Sequence, residues 1–361
     1  MKDISVVVPV YNGASMLESC YRSICIAGDR VGEIIIVDDG SVDETLSVAN
    51  TLAKYDCRIR VIHTDNHGSY MARAKGIRTA KLKYIAFIDV DDTYYEGALD
   101  LLVNLLEEYD ADISIGKIIK TTFDNKNEEI TRLDIEEQRS WVQTPEQMWI
   151  RIMKWKTQEF MLYLVHKLYK RDLFDGMPNV EGLCQGDDVV LTCHAFLSAN
   201  KIVETNAPVY KYYIHAMSVT HKGFTDRDLD IIKAWDEVIK MVSSTENSKP
   251  YNLHPSLSYM ARYNRWRTDF TLVVRLIIAD DKDIDKKYAD CLIEWRSALK
   301  KHRKELLNAH AMPKNRELLL LGICFFYKPT EMIMRAAKRI LNKNTEMLIH
   351  NGDRKFHVGN G

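Results

Sequence analysis

Ile4-Ser5-Val6-Val7-Val8-Pro9-Val10 is an almost unbroken apolar, β-branched run, closed by Tyr11-Asn12-Gly13. β-branched side chains suit extended backbone, and a run without polar alternation suits a strand covered on both faces, as in a parallel sheet. The pattern continues outward from there. Ser15 to Ile26 has helical spacing, Ile34 to Val37 is a second apolar run ending in Asp38-Asp39-Gly40-Ser41, and Asp43 to Tyr55 is helical again. Ile59 to Ile62, Tyr84 to Ile88 and Ile113 to Ile115 add three short strands, with helices predicted over Ser69 to Ala80 and Gly97 to Tyr109. Such alternation marks βαβ units and an α/β fold with a doubly wound, mostly parallel sheet. Ligands of such sheets bind beyond the carboxyl ends of the strands. Those ends carry Asn12-Gly13, Asp38-Asp39 and Asp89-Val90-Asp91-Asp92.

Further along, Thr121 to Gln143 is a polar excursion, Pro145 to Lys156 is helical, a helix opens at Asp187 and runs to Ser198, and Val209 to Ile214 is a late strand. From about Thr225 only helical periodicity remains, over Leu229 to Val242, Leu257 to Ile278 and Lys286 to Leu307. Two domains are therefore expected, residues 1–222 and an all-helical domain over 223–361. The formal net charge of -1 offers no global field for nucleic acid. The seven cysteines include no metal-ligand spacing and read as free thiols in a reducing, cytoplasmic setting. Leu318 to Tyr327 is apolar but about half the length of a membrane span. With Lys328, Arg335, Lys338, Arg339 and Lys343 after it, this stretch suits either a buried helix or a peripheral membrane contact.

Three acidic clusters carry chemistry. Asp89, Asp91 and Asp92 repel one another unless a cation or a donor-rich ligand neutralises them, and a D-x-D pair can hold a hard divalent ion; a solvated turn is the plainer reading. Asp38 and Asp39 either cap the next helix or accept from a nucleobase N–H. Asp187 and Asp188 open a helix, where a carboxylate either caps it or acts as a general base.

Taken in order, Pro9-Val10-Tyr11-Asn12, Ile36-Val37-Asp38-Asp39-Gly40-Ser41 with Asp43 and Thr45, Asn66-x-Gly68 with Ala72-Arg73 and Gly76, Asp89-Val90-Asp91-Asp92, Lys167-Leu168-Tyr169, Gly186-Asp187-Asp188 and Tyr212-Tyr213 resemble the family-two glycosyltransferases of bacterial glycan synthesis. The resemblance spans residues 1 to about 220. It implies the Rossmann-like GT-A fold, a nucleoside-diphosphate donor, UDP-sugar first, and a hydroxyl acceptor on a glycan or lipid-linked glycan. Pro9, Tyr11, Asn12, Asp38, Asp39, Asn66, Gly68, Arg73, Asp89 and Val90 would form the donor site, with Asp39 or Asp38 accepting from the base. Asp91 would ligate Mn or Mg, helped by Asp89 or His215, and Asp188 or Asp187 would be the base. The implied chemistry is a single inverting displacement, in which a cation neutralises the leaving diphosphate and the carboxylate takes the acceptor proton. The sequence departs from the family at Ala74, where Asn is usual, at Asp187, where Glu is usual, and at His166, often Asn. His166, His215 and His221 are further candidates toward the diphosphate. A non-catalytic sugar-nucleotide scaffold and a metal-dependent hydrolase are the alternatives. Peripheral membrane contact and a homodimer are both compatible with the C-terminal helices.

Overall fold

A computed structural model of the chain describes residues 2–122, 138–154, 161–214, 224–245 and 256–340. It forms two compact units, residues 1–222 with 229–262, and 223–228 with 263–361. The first unit holds a nine-stranded sheet. Its elements run β1 (Ile4–Val10), α1 (Ala14–Ala27), β2 (Val31–Asp39), α2 (Thr45–Tyr55), β3 (Ile59–Thr64), α3 (Ser69–Thr79), β4 (Tyr84–Phe87), β5 (Thr93–Tyr94), α4 (Ala98–Glu108), β6 (Ile113–Thr122), β7 (Ser140–Gln143), α5 (Pro145–Met153), β8 (Lys167–Lys170), α6 (Asp187–Ser198), β9 (Ile202–Ile214) and α7 (Asp230–Thr245). The strand order is β3-β2-β1-β4-β8-β6-β9-β5, with β7 pairing β9.

The half of the sheet around β1 is parallel, as the apolar runs predict: β1 pairs β2 and β4, and β2 pairs β3, all in parallel. The other half is mixed. β8 enters between β4 and β6 antiparallel to both, and β5 and β7 pair antiparallel with β9. Short β5, β7 and β8 carry too few residues to show a period of two, so pattern reading passes over them. Val6, Val7, Ile34, Ile35, Val37, Ile85 and Phe87 are fully buried. Each such side chain contributes about 1.5–3 kcal/mol relative to exposure.

Two local features set the geometry. Thr144 caps α5, its hydroxyl accepting from Gln147 N–H while the Gln147 side chain accepts from Thr144 N–H, with Pro145 in the first turn. On α3, a Cβ at Gly76 would stand 2.4 Å from Val7 Cγ1. That helix therefore lies directly on β1, which brings its first turns beside the strand ends.

The helix expected to open the C-terminal domain behaves differently. α7 belongs to the first unit and packs on α6, where Asp230 accepts from Cys184 N–H at 2.9 Å. Helical periodicity alone cannot say which partner a helix buries its face against. Among the described residues the second unit contains only helices: most of α8 (Leu257–Ala279), then α9 (Lys282–Lys287), α10 (Ala289–Lys301), α11 (Arg303–Asn308), α12 (Lys314–Phe325) and a helix over residues 327–340. Arg335 organises it, pairing with Asp280, Asp285 and Glu331 at 2.7–3.0 Å. Among the described residues no helix is long and apolar enough to cross a membrane.

Candidate active site

The carboxyl ends of β1, β2 and β4 and the start of α6 meet in one place. Asn12, at φ 51, joins the first two loops: its N–H donates to Ser41 Oγ at 2.8 Å, and its Oδ1 accepts from Val42 N–H at 2.9 Å. A Cβ on Gly13 would touch Val90 at 3.0 Å, so the loop after β4 lies against the loop after β1. Pro9 is half-buried beside them, and Tyr11 stands 49% exposed at the rim.

The two carboxylates that end β2 are both buried and differ in their partners. Asp38 is completely enclosed; it accepts from Ser41 N–H at 3.1 Å and lies 2.7 Å from His63 Nδ1. It braces its own turn. Asp39 accepts from the His67 and Gly68 N–H groups, each at 2.9 Å, and shapes the Asn66-x-Gly68 loop. Asn66 itself is exposed. Gly68, at φ 91, has no room for a side chain, since a Cβ would lie 3.0 Å from Cys184 Sγ and Leu183 O. The loop is thereby held against the chain leading into α6.

Arg73 is the centre of the site. Read from the sequence as a cleft-lining donor contact, it is instead 6% exposed and faces inward. Its guanidinium pairs with Asp187, lies 2.5 Å from Asp89 Oδ1 and 3.9 Å from Asp188 Oδ1. Burial works against its charge, yet Asp89 and Asp188 hold its pKa above the usual value. One arginine thus ties α6 to the end of β4. It is the physical reason that Asp187 and Asp188 sit beside residues about a hundred positions earlier.

The acidic pair divides its work. Asp187 is buried under Arg73. Asp188 is half-buried, and its Oδ1 has no hydrogen-bond partner. Burial pushes the Asp188 carboxyl above its ordinary range, Arg73 pulls it back and Asp89 pushes it up again. A half-buried carboxyl with a raised proton affinity suits proton abstraction better than one held fully ionised.

Asp92 is an internal anchor. It accepts from Tyr213 N–H and from the Tyr210 hydroxyl, both at 2.9 Å, while Asp89 N–H donates to the Tyr210 oxygen at 3.1 Å. Burial, with the charges of Asp89 and Asp91, pushes Asp92 up to about 9. Asp89 is 34% exposed and Asp91 is half-buried. Among the described residues no three His, Cys, Asp or Glu side chains converge to ligate a metal. The carboxylate oxygens of Asp89 and Asp91 are the donor type that a hard divalent ion would take. His215 and His221 lie outside the described residues. His166 is sealed beneath the site at 2% exposure, 3.2 Å from the buried Lys167 amine, and does not face the cleft. Tyr210 and His63 are site residues that sequence reading missed, because their partners lie on distant strands and no local pattern marks them.

The profile described as "Glycosyl transferase family 2" matches residues 5–175. Glycosyltransferase GlyG of Streptococcus pneumoniae serotype 4 is 32% identical over 225 residues, covering 61% of this chain and 74% of GlyG. The glycosyltransferase YibD of Escherichia coli K12 is 28% identical, covering 60% of this chain and 63% of YibD. Among solved structures, S. aureus TarS 1-349 in complex with UDP-GlcNAc superposes with a TM-score of 0.62 at 15% identity, covering 95% of this chain and 92% of that one. That likeness carries the fold, a GT-A sheet with helices following it, and the sequence match carries the family: this chain belongs to glycosyl transferase family 2.

Proposed function

We propose that this chain is an inverting glycosyltransferase, moving a sugar from a UDP-sugar to a hydroxyl on a glycan or lipid-linked glycan. The observation that carries this reading is the Arg73 brace, which holds the start of α6, with the half-buried Asp188, beside Asp89 at the end of β4. The complexes of S. aureus TarS with UDP-GlcNAc and with UDP support the choice of donor. In this reading Tyr11, 49% exposed at the rim, and one of the Asp38–Asp39 pair that ends β2 receive the uracil. Asn12 and Val90 set the loop positions, and Asn66 and Gly68 line the nucleotide cleft. Asp89 faces the ribose or the donor sugar. Asp91, with Asp89 or His215, would hold Mn or Mg. Such an ion, when bound, neutralises the charge developing on the leaving diphosphate. Asp188 takes the acceptor proton as the hydroxyl attacks, and Asp187 keeps Arg73 in place. A single displacement needs no covalent enzyme intermediate, so no nucleophilic Ser or Cys is assigned.

Isothermal titration with UDP tests the reading, first in Mn and then in chelator, on wild type and Asp91→Ala. Metal-dependent UDP binding, weakened by Asp91→Ala, is the expected result. Absence of UDP binding under every condition would remove the donor assignment.

A further inference from the structure

The chain just before β8 is a strap held from one side. Leu162, Leu164 and Val165 are buried, and the carbonyls of Leu162, Tyr163 and Leu164 each accept from a buried side chain. Thr192 on α6 donates to Leu162 O at 2.9 Å, the Lys167 amine donates to Tyr163 O, and the Tyr169 hydroxyl donates to Leu164 O at 3.4 Å. β6 fixes the end of the strap, its Gly116 N–H donating to His166 O at 3.0 Å. Because a peptide unit is planar, a bond to its carbonyl also sets the direction of its N–H.

The strap faces Asp188. Asp188 and Thr192 stand four residues apart on α6 and share one face of it, so the bond from Thr192 sets Asp188 over the same segment. The Leu164 N–H is the backbone donor acting on the Asp188 carboxyl. It belongs to the same peptide unit as the Tyr163 carbonyl that Lys167 holds. A hydrogen bond to an amide carbonyl polarises the amide and strengthens its N–H as a donor. The Lys167 amine is fully enclosed, 3.2 Å from His166 Nε2. Burial and Arg151 on α5 oppose its charge, while Asp188 on α6 and Glu204 on β9 favour it. The charged groups facing Asp188 are Arg73 on α3, Asp89 after β4 and Lys167 itself. We infer that Lys167 is a positioning residue for Asp188, acting through the Tyr163–Leu164 peptide. The inference rests on Asp188 as the general base, and it names the group that keeps that carboxyl aimed and ionised.

Carbodiimide labelling of the full chain across pH, read at Asp188 by peptide mass spectrometry, tests it; that side chain is 27% exposed and within reach of reagent. Asp188→Asn supplies the blank, and circular dichroism is recorded for every variant. Lys167→Met fills the space without a donor, and Lys167→Gln keeps an N–H without the charge. Lys167→Met is expected to move the labelling midpoint of Asp188 to higher pH, a gain of about two- to tenfold in proton affinity, because the ionised form loses support. Lys167→Gln is expected to return the midpoint most of the way to that of wild type. A midpoint that Lys167→Met leaves unmoved, or that both variants move equally, would overturn the inference. Should Lys167→Met not fold, Thr192→Val, which keeps the shape and releases Leu162 O, carries the same test in the same direction, and an unmoved midpoint there would overturn it too. The two readings fail separately: undiminished transfer by Asp188→Asn in a donor-consumption assay would remove the base, whereas the Lys167 role is decided by the titration.

Discussion

Arg73→Met removes the guanidinium that faces three carboxylates. Its Asp187 partner is 8% exposed, so that carboxylate cannot recover its hydration without moving. Removing one member of a buried pair costs about 3–5 kcal/mol. The Asp89 contact adds little, about 0–1 kcal/mol, because that side chain is 34% exposed and rehydrates. The expected loss is therefore about 3 kcal/mol, the lower end of the buried range. Asp187→Asn leaves Arg73 its Asp89 partner and should cost less, about 1–2 kcal/mol. In the double variant neither charge is stranded, so its cost should fall short of the summed single costs by about 2 kcal/mol. Urea denaturation at neutral pH, followed by far-ultraviolet circular dichroism on all four proteins, measures the cycle. Strict additivity, or a cost for Arg73→Met below about 1 kcal/mol, would refute the brace, because a solvent-screened pair behaves that way.

Three other outcomes follow from the same geometry. Asp188→Asn should retain UDP binding and lose transfer by about 10²–10⁴-fold in a donor-consumption assay. Because burial raises the Asp188 carboxyl in the folded chain, its contribution to stability is present in acid and lost as pH rises through the folded value. Wild type should then show an acid limb of activity above the ordinary carboxylate range, and Asp188→Asn should unfold no more easily than wild type at neutral pH; a variant clearly less stable there would contradict the assignment. Asp39→Ala strands the His67 and Gly68 N–H groups; at about 1–3 kcal/mol each, it should loosen the loop and abolish UDP binding in titration calorimetry. Gly76→Ala should destabilise by about 1–3 kcal/mol in thermal unfolding, because the new methyl meets Val7. Helix propensity alone predicts the opposite sign, a gain of about 1 kcal/mol, so the direction of the shift decides between them.

Much of the site was legible because its chemistry sits at chain breaks. Asn12-Gly13, Asp38-Asp39 and Asp89-Val90-Asp91-Asp92 each end an apolar run, and the fold gathers the ends of parallel strands at one edge. The roles within each cluster were less legible. Asp38 and Asp39 are equivalent on paper, and differ only because one side chain turns toward His63 and the other toward the Gly68 loop. Arg73 read as a ligand contact because a lone arginine on a helix gives no sign of what it will be buried against. Asp92 read as one of three equal carboxylates until Tyr210 and Tyr213, on a strand far along the chain, took both of its oxygens.

By itself, the sequence determined the parallel half of the sheet, the order of its strands and helices from β1 to β4, and the acidic loops at the strand ends, because hydrophobic periodicity and turn chemistry are local. Only the tertiary structure decided that β8 enters antiparallel between β4 and β6, that α7 belongs with α6, and that Arg73 binds α6 to the end of β4. Those outcomes depend on which surfaces exclude water from one another and which charges are buried together, and residues far apart in the chain settle both.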